Sequence, residues 1–128
     1  GYLLVGDETA LPAIARRLEE LPAGARVVVV AEVADAAEQQ SFDTRADVEV
    51  RWVHRDGVAP GRPELLAQAV AELGKPQGDW YAWVAAESGV AKRVRQVLVE
   101  SWQLPKEWIK AAGYWKLGAA ATHDKHED

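Results

Sequence analysis

Residues 1–22 read GYLLVGDETALPAIARRLEELP. An apolar run from Tyr2 to Val5 stops at Gly6. Two acids and Thr9 follow, and Leu11, Ile14, Leu18 and Leu21 then recur at three- and four-residue spacing. The first run reads as a strand and the second as the apolar stripe of an amphipathic helix. Pro12 falls in the first helical turn, where a missing N–H costs nothing. A strand entering a helix through a glycine turn often cradles a phosphate, because the helix dipole and the first-turn N–H groups favour an anion. The same dipole favours Asp7 and Glu8 as plain capping acids, and G-x-G-x-x-G is lacking. On these residues alone, cap and cradle both stay open.

The rest of the chain continues the alternation. Arg26 to Ala31 has no polar alternation and reads as a strand covered on both faces. Residues 34–41 are short but helix-friendly. Val48, Val50 and Trp52 alternate with Glu49 and Arg51, the pattern of a strand nearer an edge. Residues 55–61 read as loop. Pro63 opens a second helix with Leu66, Ala69, Val70 and Leu73 as its stripe and Gly74 past its end. Asp79 to Ala86 is a fourth strand, and Ser88 is placed to cap a third helix whose inward stripe is Val90, Val94, Val97 and Leu98. Trp108 to Trp115 is a fifth strand. Strands alternating with helices predict a parallel sheet with right-handed crossovers. The expected fold is α/β and Rossmann-like, with five parallel strands in the order 3-2-1-4-5 and helices on both faces. That order puts the switch-point crevice between strands one and four. There Gly6, Asp7, Glu8 and Thr9 would face Ala86, Glu87 and Ser88.

Composition narrows the classes. Among 128 residues, 48% are hydrophobic and 27% charged, which is globular rather than disordered. The net charge of -5 lacks the basic field that nucleic-acid binding needs. No cysteine is present, which excludes disulfides and thiolate metal ligation. No run is apolar and long enough for a membrane span, so a cytoplasmic location is the expectation. Six Trp against one Phe is an unusual balance, and each indole N–H needs a partner. The chain starts inside a strand without an initiator Met, which reads as a piece of something longer.

Other residues carry open readings. Glu32 closes the second strand, where an acid can accept from a ribose 2′-OH, or can simply be solvated. Ala86, Glu87 and Ser88 form either a second ligand loop or a plain cap. Tyr114 and Trp115 end the last strand, placed to stack on a ring or to cover an apolar edge. No Ser, His and acid set supports nucleophilic catalysis. A phosphoacceptor receiver domain fits poorly, since Asp56 comes late and Lys110 early. Residues 119–128 are polar and read as a frayed tail.

Three segments together resemble the C-terminal domain of the siderophore-interacting protein family. They are GDETALPAIARRLEELP (6–22), WVAAES (83–88) before a basic helix, and LPKEWIKAAGYWKLG (104–118). VVVVAEVADAAEQQ and WVHRDG lie between, so the likeness runs from Tyr2 to Gly118. The resemblance implies a ferredoxin-NADP reductase-like architecture. An N-terminal barrel, absent from this chain, binds FAD, and an α/β domain spanning 1–118 binds NADH or NADPH. Hydride would pass from nicotinamide to flavin, and electrons on to a ferric siderophore, with no catalytic acid or base required here. Gly6, Asp7, Glu8 and Thr9 match the family's first loop, beside nicotinamide and pyrophosphate. Ala86, Glu87 and Ser88 match the second, usually A-G-E-A or A-G-E-S, with the Ala86 methyl added where the ring approaches. Tyr114 and Trp115 match an end expected near the flavin domain, and Glu32 leans toward NADH. The other expectation is a stand-alone or vestigial interaction module.

Overall fold

The computed structural model describes residues 1–118, and the polar tail at 119–128 lies outside them. The chain forms β1 (Tyr2–Asp7), α1 (Leu11–Glu20), β2 (Arg26–Val33), β3 (Asp47–His54), α2 (Pro63–Leu73), β4 (Tyr81–Glu87), α3 (Ser88–Glu100) and β5 (Ile109–Trp115). The five strands lie in the order β3-β2-β1-β4-β5, with every neighbouring pair parallel. This is the expected doubly wound sheet.

Strand alternation divides the core into two layers. Leu3 and Val5 of β1, Val28 and Val30 of β2, and Ala82, Val84 and Ala86 of β4 face α2 and α3. Leu4, Val27, Val29, Ala31, Trp83 and Ala85 face α1. The strands β1, β2 and β4 are therefore apolar at consecutive positions, as strands covered on both sides must be. Outside them, β3 alternates exposed and half-buried residues, as an edge strand does. Trp80, Trp83 and Trp102 join the core, with Trp80 donating to Gln77 O (3.0 Å) and Trp102 to Val70 O (3.1 Å). Arg17 lies over the Trp83 ring, 4.5 Å from its centroid.

Several local expectations are corrected. Residues 34–41 form only one 3-10 turn, Ala36–Glu38. Asp35 accepts from Ala37 N (2.9 Å) and Glu38 from Ala34 N (2.7 Å), so short polar side chains bind the backbone locally and compete with a longer helix. Trp108 belongs to a 3-10 turn before β5 rather than to the strand. The cap of α3 is Glu87, which accepts from Val90 N (2.9 Å), and not Ser88. Ser88 instead donates its hydroxyl to Trp115 O (3.1 Å). β1, β2 and β4 each run past their expected ends at Val5, Ala31 and Ala86, into Asp7, Val33 and Glu87. Acids extend β1 and β4 because partners at the strand ends satisfy them.

Gly6 serves close packing rather than an unusual turn. It lies within β1, opposite Ala31 on one side and Ala85 on the other. A Cβ at Gly6 would stand 2.7 Å from Ala10 Cβ and 2.8 Å from Ala85 O, both rigid. Glycine here lets the entry to α1 sit against β4. Gly6→Ala is expected to lower unfolding stability by about 1–3 kcal/mol through overpacking. Urea denaturation of the two proteins measures it, and an unchanged midpoint would refute the packing account.

Candidate functional site

The C-terminal ends of β1, β2 and β4 gather five charged side chains. Asp7, Glu32, Arg55 and Glu87 are buried, and Glu8 is partly exposed. Register alone brings Asp7 beside Glu32, since the two residues pair across β1 and β2.

Asp7 is the hub. Its Oδ1 accepts from Thr9 N (3.0 Å) and from the Thr9 hydroxyl. Its Oδ2 accepts from Glu87 N (3.1 Å) and from Trp115 Nε1 (2.9 Å). One carboxylate thus joins the start of the α1 segment, the β4–α3 junction and the end of β5. Glu87 works beside it, with Oε1 on Val90 N and Oε2 on Leu117 N (3.0 Å). The two loops expected to face each other do meet, and chain carboxylates cap the helical segment at each. Of the expected first-loop donors, Thr9 already gives both its N–H and its hydroxyl to Asp7.

Glu8 and Glu32 meet a partner that sequence reasoning missed. Arg55 follows β3, where its own N–H continues the ladder to Val33 O (2.9 Å). Asp56 (φ 48°) and Gly57 (φ 91°) then turn the chain, and Val58 N closes the turn on Arg55 O (2.9 Å). Held there, Arg55 grips Glu8 with two nitrogens, Nη1 to Oε1 (2.8 Å) and Nη2 to Oε2 (2.6 Å), and gives Nη1 also to Glu32 Oε2 (3.1 Å). Bidentate guanidinium–carboxylate pairing is among the strongest polar contacts. The hydrogen bond from Arg55 holds the Glu8 carboxyl below its usual range. Burial pushes Glu32 up, against the opposing pull of Arg55. Arg55 itself is held more firmly protonated, chiefly by Glu8. Glu32 is only 2% exposed, so it is not a solvated strand-end acid. The signal for Arg55 lay in WVHRDG: a cation just past one parallel strand stands level with acids ending its neighbours.

The remaining expected residues divide. Ala86 is fully buried in the layer facing α2 and α3, so its methyl enters the core and not the crevice, contrary to expectation. Tyr114 is exposed and lies T-shaped to the Trp83 ring, 6.3 Å between centroids. The Trp115 indole reaches back from β5 past the end of β4 to Asp7 on β1, and Gly61 packs close against it. Gly113 makes room for Ser88, since a Cβ there would stand 2.4 Å from Ser88 Oγ. A separate groove of about 430 Å³ lies at the opposite ends of β1, β4 and β5, floored by Tyr2, Tyr81, Trp83 and Trp108. Among the described residues, no helix is long and apolar enough to cross a membrane.

Fold and site define an open α/β domain with its polar groups gathered at the switch point between β1 and β4, where such sheets take ligands. The chain belongs to the siderophore-interacting protein family, whose sequence profile matches residues 1–118. It is 31% identical over 120 residues to the ferric vibriobactin reductase ViuB of Vibrio cholerae, covering 91% of this chain and 43% of that protein. A second relative, the mycobactin import ATP-binding/permease protein IrtA of Mycobacterium tuberculosis, is 31% identical over 125 residues, covering 96% and 14%. A siderophore utilization protein from T. fusca superposes with a TM-score of 0.84 at 41% identity, covering 95% of this chain and 47% of that one. The siderophore-interacting protein SipS from Aeromonas hydrophila superposes at 0.75 with 28% identity, covering 91% and 46%. The chain thus spans less than half the length of these relatives.

The two glutamates predict opposite pH signatures. Glu8, lowered in the fold, contributes stability above its unfolded value and loses it as pH falls. Glu32, raised in the fold, favours the folded state at low pH and loses that contribution as pH rises through its folded value. Glu8→Gln is therefore expected to lose more stability, relative to the wild type, near neutrality than in acid. Glu32→Gln should compare better with the wild type near neutrality than in acid. Thermal melts of the three proteins across pH measure this; parallel curves for both variants would refute it.

Proposed function

We propose that this chain is the NAD(P)H-binding domain of a flavin-dependent ferric-siderophore reductase. The observation that carries the reading is the meeting of the two strand-end loops on Asp7 at the switch point. It is made in a chain whose relatives include a ferric reductase. The residues present suit a dinucleotide by their chemistry. Glu8 keeps an accessible carboxylate for a ribose hydroxyl, Tyr114 offers an exposed ring, and the Ala86 methyl is turned away. Bound nicotinamide would supply the hydride and a flavin would carry electrons onward to the ferric complex, so the protein's part is positioning and electrostatics. Asp7 holds the two loops in register, and Trp115 ties the end of β5 to them. FAD is assigned to a separate domain, in the same polypeptide or another chain, and the reaction to the cytoplasm.

A second reading, a non-catalytic interaction module, draws on a specific observation. The Trp115 indole spans from β5 to Asp7, and both loops are capped by the chain's own acids. Titration with NADH and NADPH, following the Thr9 and Ser88 amide resonances, separates the two. Saturable binding with shifts at both residues supports the domain reading. Asp7→Ala, which leaves the Glu87 N–H and the Trp115 indole without an acceptor, is expected to weaken that binding about tenfold, or 1.4 kcal/mol. The purified chain is expected to be colourless and unable to oxidise NADH with a ferric siderophore unaided. No saturable binding of either dinucleotide would sink the reading in favour of the module.

A further inference from the structure

We propose that the Glu8–Arg55–Glu32 cluster makes this site select NADH over NADPH, by keeping the guanidinium at the ends of β1 and β2 engaged with carboxylates. The inference rests on the dinucleotide reading above and names the coenzyme within it.

In dinucleotide-binding α/β folds, an acid after the second strand accepts from the ribose 2′-OH of NADH, whereas a nearby Arg accommodates the 2′-phosphate of NADPH. Both residue types occur here, so residue identity does not decide. Geometry does. Arg55 is 7% exposed and makes three hydrogen bonds to two carboxylates. That one guanidinium is held by the carboxylates of Glu8 and Glu32, and the buried Asp7 pairs with Glu32 across the ends of β1 and β2. A phosphate monoester adds about two negative charges near neutrality. To gain Arg55 it would have to displace Glu8, the outer carboxylate, and would still face Asp7 and Glu32 beneath.

Glu32 adds an independent indication. Its carboxylate is 2% exposed, and among the described residues the donor reaching it is Arg55 Nη1, on Oε2 alone. A buried oxygen without a donor is costly. Drawing Arg55 outward toward a phosphate would strip the remaining oxygen as well and leave a buried, unpaired acid. A ribose 2′-OH makes no such demand. It donates to the exposed edge of Glu8 and leaves the ion cluster in place. Glu8 is therefore the specificity-determining residue that meets the ribose, and Arg55 and Glu32 are positioning residues behind it.

Calorimetric titration of the 128-residue chain with NADH and with NADPH tests this. NADPH is expected to bind about tenfold more weakly at low salt. The gap is expected to narrow as salt is raised to about 0.5 M, because repulsion is screened. Glu8→Gln, checked for folding by circular dichroism, is expected to shrink the gap at least about threefold, mainly by strengthening NADPH binding. Equal affinities, or tighter NADPH binding, in the wild-type chain would overturn the inference while leaving the dinucleotide reading standing. A gap that ignores salt would also overturn it, and that measurement does not depend on whether the variant folds. Binding of neither coenzyme overturns both readings.

Discussion

The structure depends on one carboxylate. Asp7 ends the central strand, and its two oxygens receive four donors from three places in the chain: Thr9, Glu87 and Trp115. Hydrogen bonds to an ionised acceptor contribute about 1.5–3 kcal/mol each, and a buried donor left without an acceptor costs about 1–3 kcal/mol. The short, doubly accepting side chain can join the start of a helical segment to the neighbouring strand end because Gly6, just before it, lets those elements approach. A longer acid would push the loops apart, and an amide would present a donor where two donors already converge.

Around that hub the sheet accumulates more negative charge than a core ordinarily accepts. The fold accommodates it in two ways. Glu87 is spent on backbone N–H groups of α3 and of the segment after β5, which need an acceptor. Glu8 and Glu32 share Arg55, delivered from the end of the edge strand by the turn at Asp56 and Gly57. The compensation is uneven, which is why Glu8 and Glu32 move in opposite directions although they share one partner. Glu8 is near solvent and gains mainly from the ion pair. Glu32 is desolvated first and only partly repaid.

How far these features were legible in the sequence follows from their range. The strands and the stripes of α1, α2 and α3 follow from periodicity, most clearly in β1, β2 and β4, where burial on both faces leaves an unbroken apolar signature. The strand order rests instead on the doubly wound class that the alternation implies. The pairing of loop one with loop two followed from the strand order. The family likeness, carried by GDETALP and GYWKLG, agreed with both. Side-chain destinations were another matter. Ser88 looked like a cap because residue type favours it, but the acid one position earlier had the geometry. Ala86 looked like an intrusion because its pleat direction was unknown. Arg55 passed as loop because nothing local marks a cation whose partners lie 23 and 47 residues earlier. Its visibility depends on register, and register is a tertiary property.

The capping pattern bears on what the site recognises. A helix N-terminus attracts phosphate when its N–H groups lack an acceptor and its dipole is uncompensated. Here Asp7 caps the 3-10 turn leading into α1 and Glu87 caps α3, while α1 itself, with Ala10 at its N-cap, has no side-chain cap. The first-loop acid Asp7 is thus a cap, for the turn before α1. On the dinucleotide reading proposed above, hydroxyl donors and flat rings would contribute to ligand selection at this end of the sheet alongside the phosphates. Glu8 and Tyr114 remain accessible for those contacts after the other groups have paired with one another.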